Sequence, residues 1–172
     1  MKALTLVEPK KFAIIEKDIP VATGNKVVIK VKRTGICGSD IHMIWQTGYN
    51  AGTNFVIGHE FAGEIYDAGS STTFKKGDRV VAMEIDSCLK DTCEFCGTGR
   101  ENICDHVLEG GAGIGSDGGY GQYVAVREDM VRILPDNVSF TAGAMVEPAS
   151  ISMHGLKLAQ VNENSKVLIT GC

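Results

Sequence analysis

Four cysteines fall within seventeen residues, in the spacing Cys88-x4-Cys93-x2-Cys96-x7-Cys104. Two sulfurs three residues apart reach one ion from a single tight turn, and four thiolates at ~2.3 Å close a tetrahedral zinc shell with no open position, as in a structural site. His106, close by, offers an alternative ligand or a solvated imidazole. A second group of reactive side chains lies earlier. Gly35-Ile36-Cys37-Gly38-Ser39-Asp40-Ile41-His42 packs a thiol, a hydroxyl, a carboxylate and an imidazole into six residues, and Gly58-His59-Glu60 follows. Much later stands Glu147-Pro148. Cys, His and Glu are all competent zinc ligands, and three of them with one exchangeable position make a catalytic arrangement. Taken singly, Cys37 also reads as a small buried hydrophobe, His59 as a core histidine, and Glu147 as a carboxylate favoured at a helix start. Together, beside a cysteine-rich lobe, they read as a metal centre.

Something must hold these groups in place, and the pattern around them is β. Val27, Ile29 and Val31 alternate with Lys30 and Lys32, which predicts a strand with one buried face. Phe12–Ile15, Phe61–Tyr66, Arg79–Met83, Gln122–Val126 and Met130–Leu134 also read as short strands between Gly, Pro, Asn and Asp clusters. Lys75-Lys76-Gly77-Asp78 is a turn, and Ser39 to Gln46 predicts a short helix capped by Ser39. From Ser139 the pattern turns helical: a capped turn, then Ser150 to Ala159 with His154 in a packing role. Val167-Leu168-Ile169 is a short apolar run of the kind buried in a parallel sheet. It reads either as a terminal strand of the first sheet or, as favoured here, as the opening of a second α/β domain. Gly171 then falls where a dinucleotide-binding turn would begin.

Composition narrows the function further. The 172 residues are 44% hydrophobic, enough for a sizeable core, and carry a net charge of −4. A sequence-independent grip on nucleic acid needs a basic footprint, so that class is excluded. There are 21 glycines, about 12% against the usual ~7%, which favours a turn-rich β architecture over a helical bundle. No uncharged apolar stretch approaches the ~18 residues of a membrane span, and the start lacks the core of a signal peptide. The expected setting is the cytoplasm, where clustered cysteines bind metal rather than form disulfides.

Gly-Ile-Cys-Gly-Ser-Asp-Ile-His at 35–42, Gly-His-Glu at 58–60, the cysteine lobe at 88–104 and Glu147-Pro148, in that order, resemble the zinc-dependent medium-chain dehydrogenases. Gly77-Asp78-Arg79-Val80 and Gly118-Gly119-Tyr120-Gly121-Gln122-Tyr123 also fit that family. The resemblance implies a mainly β chain with a few helices. Residues 1–146 would form a GroES-like catalytic domain, and 147–172 the connecting helix and first strand of a Rossmann domain whose remainder lies beyond Cys172. It also implies roles. Cys37 and His59 are the expected catalytic zinc ligands, with Glu60 as ligand or water-holding carboxylate. Glu147 stands where alcohol dehydrogenases carry a cysteine ligand, which is similar to the sorbitol and polyol branch. Asp40 would orient the His59 imidazole, and Ser39 and His42 would relay a proton. Cys88, Cys93, Cys96 and Cys104 are the expected structural zinc ligands. The family's usual lobe is Cys-x2-Cys-x2-Cys-x7-Cys, whereas here Lys90 holds the first ligand's place, so the loop must bulge for Cys88 to coordinate.

The implied protein is a zinc-dependent NAD(P) alcohol or polyol dehydrogenase with two zinc ions per chain, oxidising a secondary alcohol to a ketone. It would work on a small-molecule substrate, as a homo-oligomer, with no membrane partner. Zinc polarises the alcohol oxygen, Ser39 takes the proton and passes it to His42, whose unperturbed pKa near 6.5 suits a shuttle, and the nicotinamide accepts the hydride. The cofactor fingerprint lies outside these residues, so this chain by itself is expected to be inactive. Trp45 and Tyr49 either line the substrate cleft or pack as surface aromatics. A primary alcohol, threonine or glucose dehydrogenase is the alternative within the class, and a zinc-stabilised binding module without chemistry is the alternative outside it.

Overall fold

The computed structural model describes residues 1–8, 10–45, 56–107 and 109–171. Seven strands and three α-helices are assigned among them: β1 Lys2–Glu8, β2 Lys11–Glu16, β3 Lys26–Thr34, α1 Gly38–Trp45, β4 Phe61–Asp67, β5 Arg79–Ala82, β6 Tyr123–Arg127, β7 Val131–Ile133, α2 Phe140–Ala144 and α3 Val146–Leu158. β1 and β2 pair as an antiparallel hairpin, and the other five strands form one antiparallel sheet in the order β6-β3-β4-β5-β7. The chain is therefore mainly β with few helices.

The expected strand forms at β3, but its alternation is partial: Val27 and Ile29 are buried and Lys30 is exposed, while Val28 is buried too and Val31 and Lys32 are both half-buried. Val27, Ile29, Phe61, Ile65, Val80 and Val124 meet in the central cluster. Each fully buried side chain of this size contributes about 1.5–3 kcal/mol, so the middle of the sheet is its rigid part. The β3–β4 register shifts twice, at Val28/Ile29 and Val31/Arg33. Such bulges bend and twist a strand pair. The pairing continues to Thr34 opposite Phe61, and the Gly35 N–H still donates to the Glu60 carbonyl at 2.7 Å. The ends of β3 and β4 thus bring residues 35–37 and 58–60 together. The 75–78 turn forms, with the Lys75 N–H donating to Asp78 Oδ2 at 2.9 Å.

Two expectations are corrected, the capping role of Ser39 and the packing role of His154. Lys2–Glu8, outside the predicted strands, forms one by pairing antiparallel with β2, with a register irregularity between Leu6 and Glu8. Ser39 lies inside α1 rather than capping it: Cys37 precedes the helix, and Asp40 accepts from the Cys37 N–H at 2.9 Å. That is the reciprocal half of a capping box, in which a side chain three residues on reaches back. Residues 166–170 form no strand, and Val167, Leu168 and Ile169 are exposed. A strand exists only through its ladder, and nothing among the described residues pairs with them. His154, assigned a packing role, is exposed on α3, a helix with no buried residue. Ser139 does cap α2 as anticipated, accepting from the Ala142 N–H at 3.1 Å. Among the described residues no helix is long and apolar enough to cross a membrane.

Candidate metal centres

Cys37, His59 and Glu60 each offer one ligand atom, and the three atoms lie within 4.8 Å of one another. The loop after β3 supplies Cys37, and the two residues before β4 supply His59 and Glu60. His59 and Glu60 are buried and Cys37 is half-buried. Gly35 makes room for the carboxylate: a Cβ there would sit 2.2 Å from Glu60 Oε2.

Asp40 is the hub. It is 1% exposed, a burial that a carboxylate tolerates only with donors around it. Its Oδ2 accepts from the Cys37 N–H at 2.9 Å and from the Tyr120 hydroxyl at 2.7 Å. Its Oδ1 lies 3.5 Å from His59 Nδ1, and both of those buried atoms lack a hydrogen-bond partner. An imidazole whose Nδ1 faces a carboxylate leaves Nε2 for a cation, the arrangement metal-bound histidines adopt. Burial, then the bond to Asp40, pushes the Tyr120 phenol up, so it stays a donor.

Glu147 enters from the first turn of α3. Its carboxyl is pushed up to about 7, first by burial, then by the charges of Glu84 and Glu60, and it shares a hydrogen bond with Glu84. Glu147 does not join the compact Cys37–His59–Glu60 trio. The charges of Glu84 and Glu60 nonetheless act on Glu147, and a cation nearby would relieve that repulsion. Sequence reasoning missed Glu84 and gave Tyr120 no role; no spacing marks Glu84, and Tyr120 stood only in a family-like stretch. Ser39 and His42 lie three apart on α1, on one helical face, with Ser39 half-buried and His42 exposed. Trp45 is exposed, and Tyr49 lies outside the described residues. Gly171 has φ +86° with open space around it.

The second centre is the cysteine quartet. The ligand atoms of Cys88, Cys93, Cys96 and Cys104 also lie within 4.8 Å of one another, with Cys88 and Cys96 sulfurs 3.8 Å apart and those of Cys93 and Cys104 3.9 Å apart. Leu89, immediately after Cys88, has a left-handed φ of +50°. The Cys93 thiol is lowered to about 7 by the backbone N–H groups of Cys96 and Phe95. Cys96 is pushed up to about 12, first by burial and then by its bond to Cys93. One thiolate is therefore easy to form and the next costly, the electrostatics of a quartet that needs a cation to ionise fully. His106 instead pairs with Glu109 at 2.8 Å and is no member of the quartet.

The alcohol dehydrogenase GroES-like domain family matches residues 23–136, from the approach to β3 to just beyond β7, and the chain belongs to it. Among its relatives, the sorbitol dehydrogenase of Halalkalibacterium halodurans is 36% identical over 99% of this chain and 50% of its own length. The crystal structure of galactitol-1-phosphate dehydrogenase from Escherichia coli is 30% identical, with a TM-score of 0.87 over 96% of this chain and 47% of that one. An alcohol dehydrogenase from Escherichia coli CFT073, crystallised with NADH, is 33% identical with a TM-score of 0.86, covering 96% of this chain and 48% of that one. The chain spans about half the length of these relatives.

Proposed function

We propose that this chain is the metal-binding half of a zinc-dependent NAD(P) dehydrogenase that oxidises a secondary alcohol or polyol to a ketone. The observation that carries the proposal is the convergence of Cys37, His59 and Glu60 ligand atoms within 4.8 Å, in a member of the alcohol dehydrogenase GroES-like family. The donor set fits the ion: a thiol, an imidazole backed by an otherwise unpartnered Asp40 oxygen, and a carboxylate. Cys37 and His59 would hold the catalytic zinc with Glu60 beside them, and Glu147 would approach from α3. Cys88, Cys93, Cys96 and Cys104 would hold a structural zinc, giving two ions per chain. Residues 1–146 are then the catalytic domain, and 147–172 lead into a nucleotide-binding unit, in keeping with the NADH-bound relative of twice the length.

Cys37, His59 and Glu60 would hold the zinc, whose chemistry there would be Lewis-acid polarisation of an alcohol oxygen, with a nicotinamide supplying the hydride acceptor. The chain's own groups do the proton work. Ser39 Oγ, half-buried on α1, would take the substrate's hydroxyl proton while giving up its own to His42, which lies one turn further along the helix, is open to solvent and would pass a proton on to water. Asp40 keeps His59 aimed throughout. The site's substrate would be a small alcohol or polyol in the cytoplasm, met by a homo-oligomer, and the chain alone, without the nucleotide-binding unit, would not turn over.

Metal counting tests this. Two zinc ions per chain are expected, one lost on Cys93→Ser and the other on Cys37→Ser. A single ion, lost on Cys93→Ser and unaffected by Cys37→Ser, would leave a zinc-stabilised binding module as the reading. With both sites filled, polyol-dependent NAD(P) reduction by the protein that includes its nucleotide-binding unit should be lost in Ser39→Ala and His59→Ala.

A further inference from the structure

We propose that Tyr120 is a positioning residue for the Cys37–His59–Glu60 site, holding both the Asp40 carboxylate and the Gly58-His59 backbone in the orientation that metal binding needs. The inference rests on the proposed function above and assigns a role to a residue that contributes no ligand.

Three independent contacts converge on Tyr120. The first is backbone: its N–H donates to the Ile57 carbonyl at 3.0 Å, the preceding Gly119 N–H to Gly58 at 2.6 Å, and its own carbonyl accepts from the Leu4 N–H at 3.0 Å. The segment leading into His59 is thereby laced to residues 118–120, and these to β1. The second is the ring. Gly58 has φ +93°, and a Cβ there would sit 2.4 Å from Tyr120 Cδ1. The aromatic face therefore lies on the backbone immediately before His59, and only glycine leaves it room. The third is the hydroxyl, which donates to Asp40 Oδ2 at 2.7 Å.

The hydroxyl contact decides geometry. Asp40 Oδ2 already accepts the Cys37 N–H. With the phenol as second donor, the carboxylate plane is fixed from two directions, and Oδ1 is left turned toward His59 Nδ1 at 3.5 Å. One phenol thus acts on both metal-binding residues, on Cys37 through the carboxylate that caps its N–H and on His59 through the other oxygen of the same group. Without the hydroxyl, a carboxylate that is 1% exposed keeps one charge-assisted donor fewer and must turn to find another. His59 then loses its backing, and the loop at Cys37 loosens.

Cobalt(II) titration of the full chain, read by visible absorption, tests the role, because the trio and the thiolate quartet give different spectra. Tyr120→Phe keeps the ring on Gly58 and removes only the hydroxyl. It should lower affinity at the trio about 10-fold, the lower end of the range for partners beyond the ligands, with the quartet unchanged as an internal control of folding. In an Asp40→Asn background the same change should have less than about a 2-fold effect, since residues acting through one another are not additive. Unchanged trio affinity in Tyr120→Phe would overturn the role, as would equal losses at both sites, or a full 10-fold loss persisting beside Asp40→Asn. Wild-type chain that takes up cobalt only at the quartet would overturn the proposed function itself, and this role with it.

Discussion

Arg127, the last residue of β6, clamps the incoming stem of the cysteine lobe to the main sheet. Its guanidinium forks onto Asp129, with Nε to Oδ1 at 2.9 Å and Nη2 to Oδ2 at 2.7 Å. Nη1 donates to the Ser87 carbonyl at 2.9 Å and pairs with Asp86. Ser87 immediately precedes Cys88, and the Asp86 N–H donates to the Val107 carbonyl on the outgoing stem at 3.0 Å. Arg127→Met keeps the apolar stem of the side chain and deletes all four contacts. The Asp129 side chain is 43% exposed, so that pair contributes only about 0.5 kcal/mol after solvent screening. Asp86 and Arg127 are 22% and 17% exposed, and the loss of their pair with the Ser87 bond costs about 2 kcal/mol. The sum, about 2.5 kcal/mol, should lower the melting temperature of a chain this long by about 5–10 °C. The guanidinium is raised further above its ordinary range, first by the Asp129 bond, so the loss should be the same at every pH from 6 to 9. Differential scanning calorimetry reads the shift, and limited proteolysis reads whether the 88–104 lobe opens first. A melting temperature within about 1 °C of wild type, or an equal shift in an Asp86→Ala background, would refute the clamp.

Gly58→Ala should destabilise by at least about 2 kcal/mol, because a side chain at φ +93° is strained and its Cβ meets the Tyr120 ring; a urea midpoint close to wild type would count against the packing described. Cys93 titrates near 7, below its usual 9.0, so its thiolate is present above pH 7 and is lost as pH falls through that value. Alkylation of the metal-free chain, mapped by mass spectrometry, should reach half its maximal rate near pH 7 at Cys93, with Cys96 unreactive until far higher pH. Equal rates at the two positions would contradict the N–H cradle around Cys93. Ser139→Ala should cost about 1 kcal/mol by removing the α2 cap, and Ser139→Asp should recover most of it in the same denaturation assay.

What could be read in advance divides along the range of the interactions. The quartet is a local object: four cysteines within seventeen residues, so their spacing alone suggests that the sulfurs gather, as they do within 4.8 Å. β3 was legible because Val27, Ile29 and Lys30 alternate between core and solvent. Cys37 and His59 were recognisable as a pair, but what joins them is the β3–β4 register ending at Thr34 and Phe61, which no local pattern displays. Tyr120 meets Asp40 across eighty positions of chain, and Glu84 meets Glu147 across sixty-three, so neither left a local signature. Val167-Leu168-Ile169 differs from all of these: its composition suits a buried strand, but a strand also needs a partner edge, and none of the described residues offers one.

Rigid donors are the requirement common to both centres, and the same sheet meets it at two places. The ends of β3 and β4 carry the trio, held by the Gly35–Glu60 hydrogen bond and the Asp40 hub. The exit of β5 then runs through Glu84, which faces Glu147, to Asp86, which Arg127 clamps, and on to Cys88 of the quartet. Five residues, Glu84 to Cys88, thus run from the acid that faces Glu147 to the first cysteine of the quartet, and the clamp lies between them. Distortion in the lobe, whose backbone already bends through a left-handed Leu89, meets Arg127 and the edge of β6 before it can reach Glu84. The long first spacing of the quartet is therefore compatible with an undisturbed trio: the irregularity lies on the far side of an ion-paired anchor, while the trio stands on strands whose side chains form the core.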